Sequence, residues 1–225
     1  MKPQHQWHVY DSAQAASQSC AEFMSHQIQE CLAQNEHCSI ALPGGKTPAD
    51  CLQHISQQDI DWQRTHWLPG DERCLPIGDT ERNDTLFHEH FLNLIPLPAE
   101  NFHPMPAELG AEQGAEEFSQ QLGSVLPLDI AFLGMGEDGH TASLFPDNPA
   151  LTVDTPAVAV HNSPKPPPDR ISLSIATLQQ AGLRCVLTLG ASKRDALTQI
   201  QQGKLLPINT IGPVHWFVDR AAMAD

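Results

Sequence analysis

Short apolar runs alternate with helix-spaced apolar positions along nearly the whole chain, and this alternation predicts most of the elements. Trp7-His8-Val9-Tyr10 reads as a short strand. Asp11 or Ser12 then caps a helix expected to run to about residue 34, where Ala16, Cys20, Phe23, Ile28 and Cys31 keep roughly helical spacing. A strand is expected from Cys38 to Leu42, followed by Pro43-Gly44-Gly45-Lys46 and a helix from Pro48. Further strands are expected near 65–68, 128–133, 158–161, 170–175, 184–189 and 214–218, with Ile171, Leu173 and Ile175 sharing one face. Helices are expected near 82–94, near 110–122 and from Ser192. The pattern predicts one α/β domain over residues 1–225: a doubly wound, Rossmann-like, mainly parallel sheet with helices on both faces. Asn162 to Asp169, with prolines at 164 and 166–168, reads as a stiff surface flap rather than a domain boundary.

Composition then excludes whole classes of partner. A net charge of −15 argues against nucleic acid, whose phosphates demand a basic surface. No apolar run approaches the roughly 20 residues of a membrane span. Met1 to Gln6 lacks the apolar core of a secretion signal, so a cytoplasmic location is expected. The six cysteines show no C-x-x-C spacing and are expected to be free thiols. The twelve histidines show no H-x-x-x-H or H-E-x-x-H pattern, and no metal site is read from them.

With 12 lysines and arginines in all, their positions carry information. Lys46, Arg73, Arg170, Lys193 and Arg194 fall in or beside loops that flank expected strands, an arrangement suited to a small anion and equally to solvated loop charges. The segment from Leu128 to Pro146 says most about chemistry. An apolar strand ends in a glycine-rich turn, after which Asp138 and His140 appear two residues apart. Histidine suits proton transfer near neutral pH, although a histidine in a turn also serves simply to cap backbone groups. Gly134, Gly136 and Gly139 spell a dinucleotide fingerprint, but Pro146 and Pro149 leave room for only about two helical turns. Glu137 and Asp138 would also face the pyrophosphate, so a nicotinamide cofactor is not expected.

Gly44 and Gly45 free the backbone before a helix so that N–H groups can turn toward an anion, with Thr47 as the expected N-cap and Pro48 in the first turn. A well-capped turn without a ligand fits the same residues. Gly190 to Asp195 repeats the logic, with Ser192 as cap and Lys193 in a first turn where a cation opposes the helix dipole. Asp71 and Arg73 follow another strand end. There Asp71 can steer a hydroxyl or a proton and Arg73 can hold an anion or a developing oxyanion, or the two can form a surface salt bridge.

Taken together, Ala41 to Pro48, Gly70 to Pro76, Leu133 to Pro146, Arg170 to Ser174, Leu189 to Lys193 and Trp216 to Ala222 resemble the family that joins glucosamine-6-phosphate isomerases with 6-phosphogluconolactonases. The resemblance implies hydrolysis of a sugar-phosphate lactone, 6-phosphoglucono-δ-lactone, in the oxidative pentose phosphate pathway, without metal or cofactor. It implies His140 as general base and Asp138 as the acid beside it. It also implies that Gly44, Gly45, Lys46, Thr47, Asp71, Arg73, Arg170 and Lys193 surround the substrate and its phosphate. Pro43 and Lys46 depart from the serine and hydroxyl residue usual at the ends of the glycine loop, which shifts phosphate binding toward backbone N–H groups, Thr47 and Lys46. The related deaminases carry a glutamate five residues beyond the histidine, where this chain has Phe145, and that favours simple hydrolysis. A role as a regulator's sugar-phosphate sensor is disfavoured because no segment supplies a basic DNA-binding module.

Overall fold

The computed structural model describes residues 5–45 and 47–223. In chain order the elements are β1 (Gln6–Tyr10), α1 (Ala13–Gln34), β2 (Cys38–Leu42), α2 (Thr47–Ser56), β3 (Thr65–Pro69), β4 (Asp71–Arg73), α3 (Asn83–His90) and α4 (Ala111–Gln121). They continue with β5 (Ile130–Gly134), β6 (Ala157–Val160), β7 (Arg170–Leu173), α5 (Ile175–Gln180), β8 (Leu183–Thr188), α6 (Arg194–Gln201), α7 (Pro207–Thr210) and β9 (His215–Asp219).

The main sheet runs β1-β9-β8-β5-β2-β3, and every pairing in it is parallel. Strands buried on both faces are mostly apolar, which is why they stand out in the sequence. β5 shows the two-sided burial directly. Ile130 and Phe132 pack with α1 and α2 on one face, while Ala131 and Leu133 join a second core containing Phe118, Leu197 and Trp216. Ser12 caps α1 as expected, its side chain accepting from the Ala15 N–H at 3.2 Å. Among the described residues no helix is long and apolar enough to cross a membrane.

A second, antiparallel sheet of order β4-β7-β6 was not legible in the sequence. It begins at Gly70, whose N–H donates to Leu42 O at 2.7 Å and whose carbonyl accepts from Leu173 N at 2.8 Å. One residue thus bridges the end of the parallel sheet and the start of the small one. Ile175 leaves the expected strand face, because Ser174 caps α5 by accepting from the Thr177 N–H and ends the strand at Leu173.

The caps expected at Thr47 and Ser192 are corrected. α2 begins at Thr47, which is its first helical residue rather than its cap. Pro48 is then the second helical residue, where the N–H it lacks would have no partner within the helix. Lys46 lies outside the described residues. After β8, a 3-10 turn over Ala191–Lys193 precedes α6, and Ser192 caps nothing. Gly190, at φ 89°, is held instead by the Asp219 carboxylate, which accepts its N–H at 2.9 Å.

Candidate active site

The carboxyl ends of β2, β3, β5 and β8 open into one cleft of about 330 Å³. Such a position is where parallel α/β sheets bind ligands. Gly44, Gly45, Thr47, Asp71, Arg73, His140, Arg170 and Lys193 all line it. Asp138 does not line this cleft. It stands behind the histidine.

The turn after β5 is built around the imidazole. Gly136 N–H donates to the His140 carbonyl at 2.8 Å, and Gly139 N–H to the Gly136 carbonyl at 3.1 Å, closing a compact loop. A Cβ at Gly136 would fall inside the envelope of the ring's Cε1 and Nδ1, so only glycine leaves the ring its seat. The Phe145 ring, whose centroid lies 4.4 Å away, closes another side. Asp138 Oδ1 accepts from His140 Nδ1 at 2.5 Å and from the His140 backbone N–H at 3.1 Å. Burial works against ionisation of Asp138, but the hydrogen bonds and electrostatic pull of His140 outweigh it and bring the carboxyl down to about 2. An ionised carboxylate only accepts, so Nδ1 carries the proton and Nε2 is the basic nitrogen of the neutral ring.

The small sheet explains how an arginine at the start of a strand reaches the site. β4 and β7 are antiparallel, so Arg73 and Arg170 are register partners at the cleft. Arg170 is nevertheless buried and heavily engaged. It donates to the carbonyls of Lys165 (3.0 Å), Pro166 (3.0 Å) and Pro167 (3.2 Å), and its Nη1 lies 3.9 Å from Asp71 Oδ2. The expected flap is therefore tied down by Arg170, and it brings Lys165 and Pro166 into the cleft wall. Asp71 is also engaged: Ser143 Oγ donates to its Oδ2 at 2.5 Å. Arg73 Nη1 donates to the Glu81 carbonyl. Burial holds the Lys193 ammonium below the usual lysine range, opposed by Glu137 and Asp138 and reinforced by Lys165.

Sequence reasoning missed Asn83, Ser143 and Glu72. Asn83 Nδ2 donates to the Asp71 carbonyl at 2.7 Å, and its side chain fills the space that a Cβ on Gly44 would need. Glu72 is fully buried, and its carboxylate accepts three backbone N–H groups: Arg73 (2.8 Å), Asn83 (2.7 Å) and Asp84 (2.8 Å). It pins the strand carrying Asp71 and Arg73 to the start of α3.

Burial pushes the Glu72 carboxyl up to about 7, against the pull of those N–H donors. Its folded-state value thus lies above the roughly 4.3 of an unfolded glutamate. The stability it contributes is complete below about pH 4 and is lost as pH rises through about 7. Wild-type unfolding free energy is expected to fall across that window relative to Glu72→Gln. Urea titrations of both proteins at several pH values check this, and parallel pH dependences would refute it.

Comparison with known proteins gives a family and a fold. The family model described as "Glucosamine-6-phosphate isomerases/6-phosphogluconolactonase" matches residues 11–219. A 6-phosphogluconolactonase of Synechocystis is 32% identical over 87% of this chain and 88% of its own length. One from Mycobacterium leprae is 31% identical over 87% of this chain and 85% of its own. The crystal structure of a Thermotoga maritima 6-phosphogluconolactonase superposes with a TM-score of 0.91 at 24% identity, covering 96% of this chain and all of that one, and so shares the fold.

Proposed function

The chain belongs to the glucosamine-6-phosphate isomerase/6-phosphogluconolactonase family, and from that premise we propose that it hydrolyses 6-phosphoglucono-δ-lactone to 6-phosphogluconate in the oxidative pentose phosphate pathway. The observation that carries the reading is His140, held through Nδ1 by an ionised Asp138 in the wall of a cleft shared with the Gly44-Gly45 turn, Arg73 and Lys193.

A δ-lactone is a reactive ester, so catalysis needs an aimed water and a stabilised oxyanion. In this mechanism Nε2 of neutral His140 takes a proton from water, and the hydroxide adds to the lactone carbonyl. Asp138 stabilises the imidazolium that forms. The tetrahedral oxyanion collapses as the bond to the ring oxygen breaks, and His140 returns its proton to that oxygen. The new carboxylic acid then ionises, releasing one proton per turnover. Arg73 serves as the oxyanion or substrate clamp. The Gly44-Gly45 turn with Lys46 and Thr47, together with Lys193, receives the phosphate, and the engaged pair Asp71 and Arg170 shapes the wall between them. Phe145 supports simple hydrolysis over ring-opening chemistry, because it places a buried aromatic ring, not a carboxylate, against His140. The acidic surface argues against a nucleic-acid partner, and six free cysteines fit one domain working in the cytoplasm.

Proton release on mixing with freshly generated 6-phosphogluconolactone, compared with the phosphate-free lactone, tests the proposal once spontaneous hydrolysis is subtracted. Hydrogen bonds to a charged group contribute about 1.5–3 kcal/mol each, so kcat/KM is expected to favour the phosphorylated substrate by at least about tenfold. Equal values for both lactones would remove the phosphate half of the site.

A further inference from the structure

At the end of the sheet opposite the cleft, three metal-ligating side chains converge. Cys31 comes from the last turn of α1, Cys38 opens β2, and Asp129 immediately precedes β5. Ligand atoms of all three lie within 4.8 Å of one another. The residues are 7 and 91 positions apart in sequence, so no local motif announces them. We propose that Cys31, Cys38 and Asp129 form a zinc(II) site.

The donor set suits the ion, since borderline-soft Zn²⁺ binds thiolates at about 2.3 Å and carboxylates at about 2.0–2.2 Å. A tetrahedron on those bonds needs ligand-to-ligand edges of about 3.5–3.8 Å. The three groups must therefore draw together by at most about 1.3 Å. Cys31 and Asp129 are only partly buried and rotate toward the fixed, fully buried Cys38.

Two ligands already carry the outer hydrogen bonds that orient such groups. Ser39 donates to Asp129 Oδ2 through both its N–H (2.8 Å) and its Oγ (2.9 Å), which leaves Oδ1 as the coordinating oxygen. Asn35 Nδ2 lies 3.5 Å from Cys31 Sγ and donates to it. Cys31 and Asp129 also line a depression of about 290 Å³ with Glu30, so an ion has a path in and the fourth position faces that opening. Burial holds both cysteines as thiols in the metal-free protein. Zinc uptake must therefore displace their protons, and bound metal staples the end of α1 to β2 and β5.

The test uses the full chain stripped of metal with a chelator. Cobalt(II) is titrated first as a spectroscopic probe, then zinc against a competing chelator, with proton release followed. The expected result is one equivalent bound with a thiolate-to-cobalt charge-transfer band, about two protons released, and a raised thermal midpoint with zinc. Cys31→Ser and Asp129→Asn, both at partly exposed positions, are each expected to weaken zinc binding by at least about 100-fold, and Ser39→Ala by about 10–100-fold. Cys20→Ser, in a separate buried thiol cluster, is expected to bind as wild type does. Absence of the thiolate band, or unchanged zinc affinity in Cys31→Ser, would overturn the proposal by assigning uptake to surface histidines. Quantitative formation of a Cys31–Cys38 disulfide in place of metal binding would overturn it too.

Discussion

His140→Ala is expected to lower kcat for lactone hydrolysis by about 10²–10⁴-fold, the usual contribution of a positioned general base. The protein should remain folded. The His140 side chain is 16% exposed and its principal partner, Asp138, is 42% exposed, so solvent satisfies the carboxylate once the ring is gone. KM should change little, because the groups proposed to receive the phosphate come from other loops. Steady-state proton release, with far-UV circular dichroism and urea titration as controls, checks the outcome. A folded variant working at the wild-type rate would remove the imidazole from the mechanism.

A comparable loss is expected from a single methyl group added beside that ring. Gly136 does not have a positive φ, unlike Gly139 at 82°, so its backbone tolerates a side chain. What does not tolerate it is the imidazole, which occupies the space a Cβ requires. Gly136→Ala must therefore push His140 away from Asp138 Oδ1, breaking the 2.5 Å contact. Displacement by about 1 Å at a reacting group costs on the order of 100-fold, and that loss should appear in kcat. Stability should fall by about 1–3 kcal/mol, as for other over-packed sites. Gly123→Ala is the control, since nothing lies near its Cβ position and its φ is not positive. Unchanged kcat in Gly136→Ala would mean that the seat of the ring does not set the rate.

The sequence revealed the parallel strands and the loops at their carboxyl ends because both leave a local signature. A strand buried on two faces is an unbroken apolar run, as in Ile40-Ala41-Leu42 or Phe132-Leu133, and a tight turn after it needs glycine. β4 left no such trace: Asp71-Glu72-Arg73 is wholly polar, and its pairing with β7 spans about a hundred residues of chain. Nothing local marks Glu72 as a buried acid, because two of the three N–H groups that satisfy it lie eleven and twelve residues later, at Asn83 and Asp84. Ser192 looked like a cap because Asp219, which does hold that turn, lies 29 residues beyond Gly190. The same limit hid Cys31, Cys38 and Asp129. Local periodicity names the elements, and only the folded chain shows which polar groups meet.

The hold of Arg170 on the segment at 165–167 has a consequence for how this cleft can change. Prolines have no N–H, so Pro166 and Pro167 offer only carbonyls for anchorage, and one guanidinium grips three of them in succession. The same guanidinium forms part of the surface a bound sugar would meet. Admission of the substrate and its retention are thereby fastened to a single residue. Natural variation at position 170 cannot widen the doorway without also redrawing the floor behind it.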